Sequence, residues 1–392
     1  MSELKVNSIK GVSATSAAIS INNTDGTCTA NITNNLSNRN LIINGAMQVA
    51  QRGSSSTTNG MQTVDRFAVY FQETDEAPTQ AQVDVASGTT PYTLGFRKAL
   101  KITNGNQTSG AGSNDMVTIY YQPEAQDIAN SGWNYTSSSS YITLSFWVKS
   151  SVAQNFYGRV TSQDGSVYNY PFETGSLSAD TWTKITKTIP GNSNLVVNSD
   201  NGVGLYIEWA PFQGTDRTAS GVTLNQWGAW NSAARFPDNT STWYTTNDAT
   251  FEITGVQLEV SDHATDFEFK SFAQELALCM RYYEKTYPYG VALGGSSSYS
   301  GFINQSGSSN GTGTMVVPLE FGVEKRAAPT ITAYNAGNGD SGTWYVLRNG
   351  ANGNNSVTID QISTRRARLY LGTGANWAVA VAEGHYEANA EL

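Results

Sequence analysis

The 392-residue sequence predicts an all-β protein, and three observations carry that expectation: low charge, abundant aromatics, and apolar residues at every second position. Asp, Glu, Lys and Arg make up 14% of the chain, against about 25% in typical globular proteins. Ser, Thr, Asn, Gln and Gly fill the gap, and 20 Tyr, 14 Phe and 9 Trp bring the aromatics to 11%. Disordered chains lack such aromatics, and helical enzymes carry more Lys, Glu and Ala. At roughly 150 residues per domain, the length suits two or three domains.

Residues 1–40 are read as a docking or stalk segment. Short β-prone stretches around Ala17–Ile21 and Thr27–Thr33 flank an Asp25-Gly26 turn signal, and no aromatic precedes Phe67. Such a segment cannot bury a core alone and needs partner chains to order. Residues 41–270 are read as one large antiparallel sandwich, best described as a jelly roll. Ile142, Leu144, Phe146 and Val148 alternate with Thr143, Ser145, Trp147 and Lys149. Leu205, Ile207 and Trp209 alternate with Tyr206 and Glu208 in the same way, the period of half-buried strands. Between Phe251 and Val260 the apolar phase slips at Gly255, which predicts a β-bulge. Asn104-Gly105, Asp164-Gly165 and Asn201-Gly202 mark turns.

Residues 271–286 are read as a helix bridging two β domains. Ser271 with Gln274 forms a capping-box pattern, Phe272, Leu276, Cys279, Met280 and Tyr283 form a stripe, and Pro288 stops the helix. Residues 287–392 are read as a smaller β domain. Its Gly/Ser-rich stretch Gly294–Gly313 is a loop or a hairpin tip, and Pro318 marks an edge strand. Further strands are expected at Thr343–Leu347, Val357–Ile362, Arg366–Leu371 and Trp377–Ala382.

The 32 acidic and 23 basic residues give a net charge of −9. That balance disfavours nucleic acid as a partner. No apolar run reaches the roughly 18 residues of a membrane span. The opening Met-Ser-Glu-Leu-Lys-Val shows no secretory signal, so synthesis in a reducing cytoplasm is expected. Cys28 and Cys279, far apart in sequence, are expected to be free thiols.

Several segments, taken together, resemble tailed-bacteriophage fibre and virion-appendage proteins. They are Asn40 to Gly53 (NLIINGAMQVAQRG), Val64 to Phe67 (VDRF), Leu144 to Ser150 (LSFWVKS), Ile253 to Val260 (ITGVQLEV) with Ala264 to Glu268 (ATDFE), and Glu275 to Glu284 (ELALCMRYYE). Asp266 stands where that family usually has Pro. The closing Tyr386 to Leu392 (YEANAEL) is similar to the family's ending. The resemblance spans about residues 40–290. It implies a carbohydrate-binding-module-like jelly roll within a fibre displayed on the virion surface, and leaves attachment to tail or capsid open.

Candidate chemistry is sparse. Gly339-Asp340-Ser341-Gly342 matches the tetrapeptide around a serine-protease nucleophile, but only His263 and His385 are present, neither in an Ala-His-Cys setting. A hairpin turn explains it better. No cofactor motif or metal-spaced Cys/His set is present. Glu208, Glu252 and Glu259 are the strand carboxylates that could pair as glycosidase residues. Aromatics in loop-like stretches are the better lead: Trp133, Tyr135, Trp227, Trp230, Trp243 and Tyr244, with Phe236 beside them. Exposed rings stack on the apolar faces of sugars; alternatively these rings pack over the sandwich ends or between chains. Arg365, Arg366 and Arg368 form the densest basic cluster, suited either to an anionic glycan or to a solvated or ion-paired strand face.

The expectation that joins these readings is a non-enzymatic homotrimeric virion fibre. Residues 1–40 would be held by a phage tail or capsid protein while the rest binds host-surface saccharide. A polysaccharide-degrading fibre and a capsid decoration (head fibre) without a receptor role are the alternatives. Light scattering at micromolar concentration is expected to give a trimer, and a stable monomer would contradict the role assigned to residues 1–40.

Overall fold

A computed structural model describes residues 6–9, 12, 19–22, 24–26, 28–30, 38–295, 301–309, 314–348, 352–372 and 377–392. Of the N-terminal segment, the strands Ser8–Ile9, Ile19–Ile21 and Cys28–Ala30 form a small antiparallel sheet. Ile9 is 53% exposed and Val12 fully so, as expected of a segment without a core. The expected strand residues 17–18, 27 and 31–33 lie outside the described residues. Cys28 is exposed, Cys279 is buried, and both are free thiols.

The body of the protein is a sandwich of two antiparallel sheets. One sheet runs in the order Gly228–Ala229, Tyr168–Ser176, Asn155–Ser162, Leu205–Gln213, Met116–Tyr121, Phe67–Gln72. The other runs Thr183–Pro190, Tyr141–Ser150, Thr250–Val260, Lys98–Thr103, Thr79–Asp84, Ser55–Ser56. Among the long strands, only Thr79–Asp84 with Lys98–Thr103, and Asn155–Ser162 with Tyr168–Ser176, follow one another within a sheet. Every other connection crosses, which gives the jelly-roll-like winding. The inward phases meet in one core that includes Phe67, Ile119, Leu144, Phe146, Phe172, Ile207, Trp209 and Leu258. Phe146 meets Trp209 edge-on, with ring centroids 5.7 Å apart.

The bulge falls where the phase slips. Pairing of Thr250–Val260 with Tyr141–Ser150 shifts register between Thr254 and Gln257. Gly255 there has φ +61°, and a Cβ would lie 2.7 Å from the Phe96 ring. Both the backbone angle and the close approach favour glycine.

The bridging helix is shorter than its pattern suggests, Phe272–Met280, and it opens with the expected Ser271/Gln274 capping box. Its stripe is buried only in part: Cys279 and Tyr283 are buried and Leu276 and Met280 half-buried, but Phe272 is 43% exposed and Glu275 is buried beside them. Tyr283–Lys285 leaves the helix as a strand and pairs with Glu387–Asn389. A remote strand partner ends the helix well before Pro288.

The C-terminal domain is built around the long strand Trp377–Asn389, which pairs with Tyr283–Lys285, Ile303–Ser309, Thr330–Asn335 and Thr343–Arg348. Gly353–Asp360, Arg366–Gly372 and Thr314–Glu320 extend the sheet, so the strand carrying Pro318 lies at its edge. Part of the Gly/Ser-rich stretch is therefore strand and not loop, while residues 296–300 and 310–313 lie outside the described residues. Asn338–Gly342 is a turn between Thr330–Asn335 and Thr343–Arg348.

The domains meet at a buried polar junction. The Arg66 guanidinium is fully buried, 3.5 Å from the centroid of Tyr282, pairs with Glu391, and donates to the Gln122 carbonyl at 2.6 Å. Burial pushes its pKa down, but Glu391 and the tyrosines more than offset this and hold it above the ordinary value. Arg52 also pairs with Glu391 and lies over the Tyr283 ring. Arg281 grips Glu124 at 2.8 and 2.9 Å. Asn44 and Glu275 join the sandwich entry to the helix through a 2.7 Å bond from the Asn44 amide.

In the C-terminal core, His385 stacks on Tyr287 with ring centroids 3.8 Å apart. Burial pushes its pKa down to about 4. An unfolded imidazole protonates near 6.5, so between these values the unfolded chain binds more protons than the native one. The contribution is full above ~6.5 and is lost as the pH falls toward the folded value. Thermal melts across this interval are expected to show a shallower pH dependence in His385→Gln than in the parent; identical slopes would mean that His385 is not titrating.

Candidate functional site

Most of the loop aromatics are structural. Trp133, Trp227, Trp243 and Tyr244 are no more than 8% exposed and belong to the sandwich core. Their indole N–H groups donate to backbone carbonyls, Trp133 to Ser140 at 3.3 Å, Trp227 to Pro190 at 2.7 Å and Trp243 to Thr250 at 3.0 Å. Tyr244 stacks on Phe212 at 4.3 Å, and Tyr135 packs half-buried beside Trp133. Loops that cross between the sheets must close the open ends of the core, and large rings with one polar atom suit that task. Trp133, Trp243 and Tyr244 present no free face to a sugar, which corrects the sequence expectation for them, while Trp227 shows only an edge at a cleft and Tyr135 is half-buried.

Two of the three arginines in the basic cluster are already held by carboxylates. Arg365 bonds Glu324 at 2.9 and 3.1 Å, and Arg368 bonds Asp360 at 2.6 and 2.7 Å. Arg366 is exposed on the same strand. Exposed pairs of this kind describe a solvated strand face on which Arg365 and Arg368 are neutralised.

The structure instead assembles a groove from outward-facing strand residues. Register places Arg159, Glu208, Tyr120 and Ala68 side by side across four strands, with Pro171 beyond Arg159. Alternation explains the row: Ile207 and Trp209 point into the core, so Tyr206 and Glu208 point out, and Val117 and Ile119 do the same for Thr118 and Tyr120. Tyr120 and Tyr206 stack at 5.1 Å with planes 20° apart. Tyr70, 40% exposed, stands on the neighbouring strand. Together with Gln122, Arg159, Glu208, Arg235 and Leu392 these residues line a groove of about 380 Å³. Trp230 backs it, with Arg159 4.6 Å and Arg235 5.4 Å from its ring centroid.

The floor is rigid. Glu208, 1% exposed, accepts from Arg159 Nε at 2.5 Å, Thr118 Oγ1 at 2.7 Å and Gln213 Nε2 at 3.0 Å. Burial, with Glu208 nearby, drives the Tyr206 hydroxyl well above its ordinary pKa, and burial raises Tyr120 too. Both phenols stay neutral, as donors at the edge of a flat aromatic platform. A flat ring surface flanked by fixed donors and acceptors is suited to a polyhydroxylated ring with one apolar face.

The strand carboxylates do not form a hydrolytic pair. Glu208 faces outward from one sheet, whereas Glu252 and Glu259 face outward from the other, on either side of the Gly255 bulge. Sheets in a sandwich stand ~10 Å apart, which already exceeds the ~5–9.5 Å of glycosidase carboxylates. Glu252 is paired with Lys149, and Glu259 accepts from Thr265.

A larger cleft of about 820 Å³, lined by Arg39, Asp127, Lys270 and neighbours, has no aromatic wall and so offers no stacking platform. Sequence reasoning missed Tyr70 and Tyr120, and it read Tyr206 only as strand pattern. The available signal was an aromatic on the outward phase of an alternating strand.

No protein-family model matches the chain, and no curated protein does. Among solved structures, the xylanase 10B CBM22-1–GH10 modules of Clostridium thermocellum match at 10% identity and TM-score 0.27, covering 57% of this chain and 30% of that one. The N-terminal cellulose-binding domain of Cellulomonas fimi β-1,4-glucanase C matches at 12% identity and TM-score 0.27, covering 55% of this chain and all of that one. The CBM22-1 xylan-binding domain of Paenibacillus barcinonensis Xyn10C matches at 8% identity and TM-score 0.24, with 55% and 100% covered. At these TM-scores no ligand follows from the likeness.

Stability should separate floor from platform. Glu208→Ala leaves Arg159 buried without its carboxylate and is expected to cost ~3–5 kcal/mol in denaturant melts. Tyr70→Ala is expected to stay within ~0.5 kcal/mol of the parent; a loss comparable to Glu208→Ala would make Tyr70 a packing residue.

Proposed function

We propose that the chain is a non-enzymatic saccharide-binding component of a tailed-bacteriophage virion, with its ligand held in the Tyr70–Tyr120–Tyr206 groove. The observation that carries the binding role is the pair of stacked, half-buried tyrosines beside a fixed Glu208–Arg159 floor. The groove is lined from four adjacent strands, Tyr70 to Arg159, ~14 Å at ~4.8 Å per step, so a short oligosaccharide laid across the strands has room. A second cleft, lined by Asn169, Pro171 and Trp227, continues the same face beyond Arg159. The separation of the strand carboxylates across the sandwich favours binding over hydrolysis.

The virion role is supported by the resemblance of residues 40–290 and by where its motifs lie. The segments beginning at Asn40, Val64 and Glu275, and the ending at Tyr386, contribute Asn44, Arg52, Asp65, Arg66, Glu275, Arg281, Tyr282 and Glu391 to the interdomain junction. The motifs thus specify a shared architecture, while the groove supplies what an individual appendage recognises. Residues 1–40 are the segment proposed to trimerise and to join the particle.

Tyr120→Ala and Tyr70→Ala are expected to weaken adsorption to host cells, and binding to extracted host polysaccharide, by about tenfold each, the ~1.4 kcal/mol of one lost stacking contact. Tyr70→Ala should do so without a change in melting temperature. No reducing ends should be released. Unchanged adsorption by both variants would move recognition elsewhere, and release of reducing ends would revive the hydrolytic reading.

A further inference from the structure

We propose that the groove is selective for an acidic saccharide, one bearing a ring carboxylate, which Arg159 and Arg235 hold; this rests on the saccharide reading above. Two guanidinium groups and one carboxylate are the charged side chains that line the groove. The carboxylate, Glu208, is already satisfied by Arg159 Nε, Thr118 and Gln213. Glu208 is thus matched to Arg159, and no side-chain carboxylate in the lining is matched to Arg235.

The donors are also unspent. Arg159 has a side chain only 7% exposed, yet among the described residues its two terminal nitrogens donate to no protein group. Arg235 donates through Nε to the Ser232 carbonyl at 3.0 Å, and its terminal nitrogens likewise donate to no described residue. The contrast with Arg365 and Arg368 is direct, since each of those exposed guanidinium groups grips its own carboxylate. Burial, and after it the like charge of Arg159, hold Arg235 below its ordinary pKa, so the two cations repel one another before any ligand arrives.

Trp230 fixes both groups. Its ring lies beneath Arg159 and Arg235, and Tyr206 and Phe236 flank Arg159 at 5.2 and 5.6 Å. Aromatic walls hold a planar guanidinium in place and leave its in-plane N–H donors free. A carboxylate accepts such donors in pairs, and charge-assisted bonds are about twice as strong as those to a neutral hydroxyl. A neutral sugar would offer these donors only uncharged hydroxyl acceptors.

The test uses paired probes on the full chain: oligogalacturonate, oligomannuronate and sialyllactose, against the carboxyl-reduced oligomers and lactose, by titration calorimetry. At least one acidic member is expected to bind about tenfold more tightly than its neutral counterpart. That margin should shrink as salt rises toward ~0.5 M. Arg235→Gln should abolish it at unchanged melting temperature, and Arg235→Lys should restore part of it. If the neutral members bind as well as the acidic ones, the charge selectivity is wrong and the stacking groove stands. If nothing binds, or if acid preference survives in Arg235→Gln, the ligand assignment is overturned, in the first case together with the saccharide reading.

Discussion

The buried Arg66 guanidinium is the constraint on which the rest of the structure depends. Moving a cation out of water is costly, and only close partners on several sides offset it. Arg66 draws those partners from three separated stretches: Tyr121 and the Gln122 carbonyl, Tyr282, and Glu391. Arg52 reinforces the set by sharing Glu391 and stacking on Tyr283. The Gln51 side-chain amide donates both to the Tyr283 carbonyl at 2.8 Å and to the Asp65 carboxylate. Tyr282, Tyr283 and Glu391 come from beyond the sandwich, so the full set forms only when the segment after the helix and the chain's last residues are in place.

This junction also bears on the groove. Tyr120 and Tyr121 are consecutive on one strand, so the residue that faces the groove and the residue that faces Arg66 are set by the same backbone. Gln122, whose carbonyl Arg66 binds, lines the groove, as does Leu392 beside Glu391. Docking of the C-terminal domain therefore shapes one end of the groove. Strong ion pairs at the junction and a paired Glu208 on the groove floor leave the unspent donors on Arg159 and Arg235.

What the sequence made legible was whatever depends on local period. Alternation at Leu205–Trp209 located a strand and its two faces, the phase slip located the Gly255 bulge, and Pro318 located an edge. What it hid depends on remote partners. Residues 281–285 look helical, and only pairing with Glu387–Asn389 makes Tyr283–Lys285 a strand. Trp133, Trp227 and Trp243 sit in loop-like sequence, yet the sandwich ends they seal exist only after folding. Tyr120 reads as one more strand residue until register sets it beside Glu208 and Arg159. The motifs that carried the family resemblance mark the junction, so they reported architecture more directly than recognition.

Calorimetric unfolding tests the central role of the junction most directly. If the Arg66 network welds the sandwich and the C-terminal domain together, the two unfold in a single transition whose calorimetric and van't Hoff enthalpies agree. Arg66→Met, which leaves Glu391 with Arg52 alone and removes the cation from Tyr282 and the Gln122 carbonyl, should split that transition into two. Two independent transitions in the unaltered protein, or one unchanged transition in Arg66→Met, would contradict it.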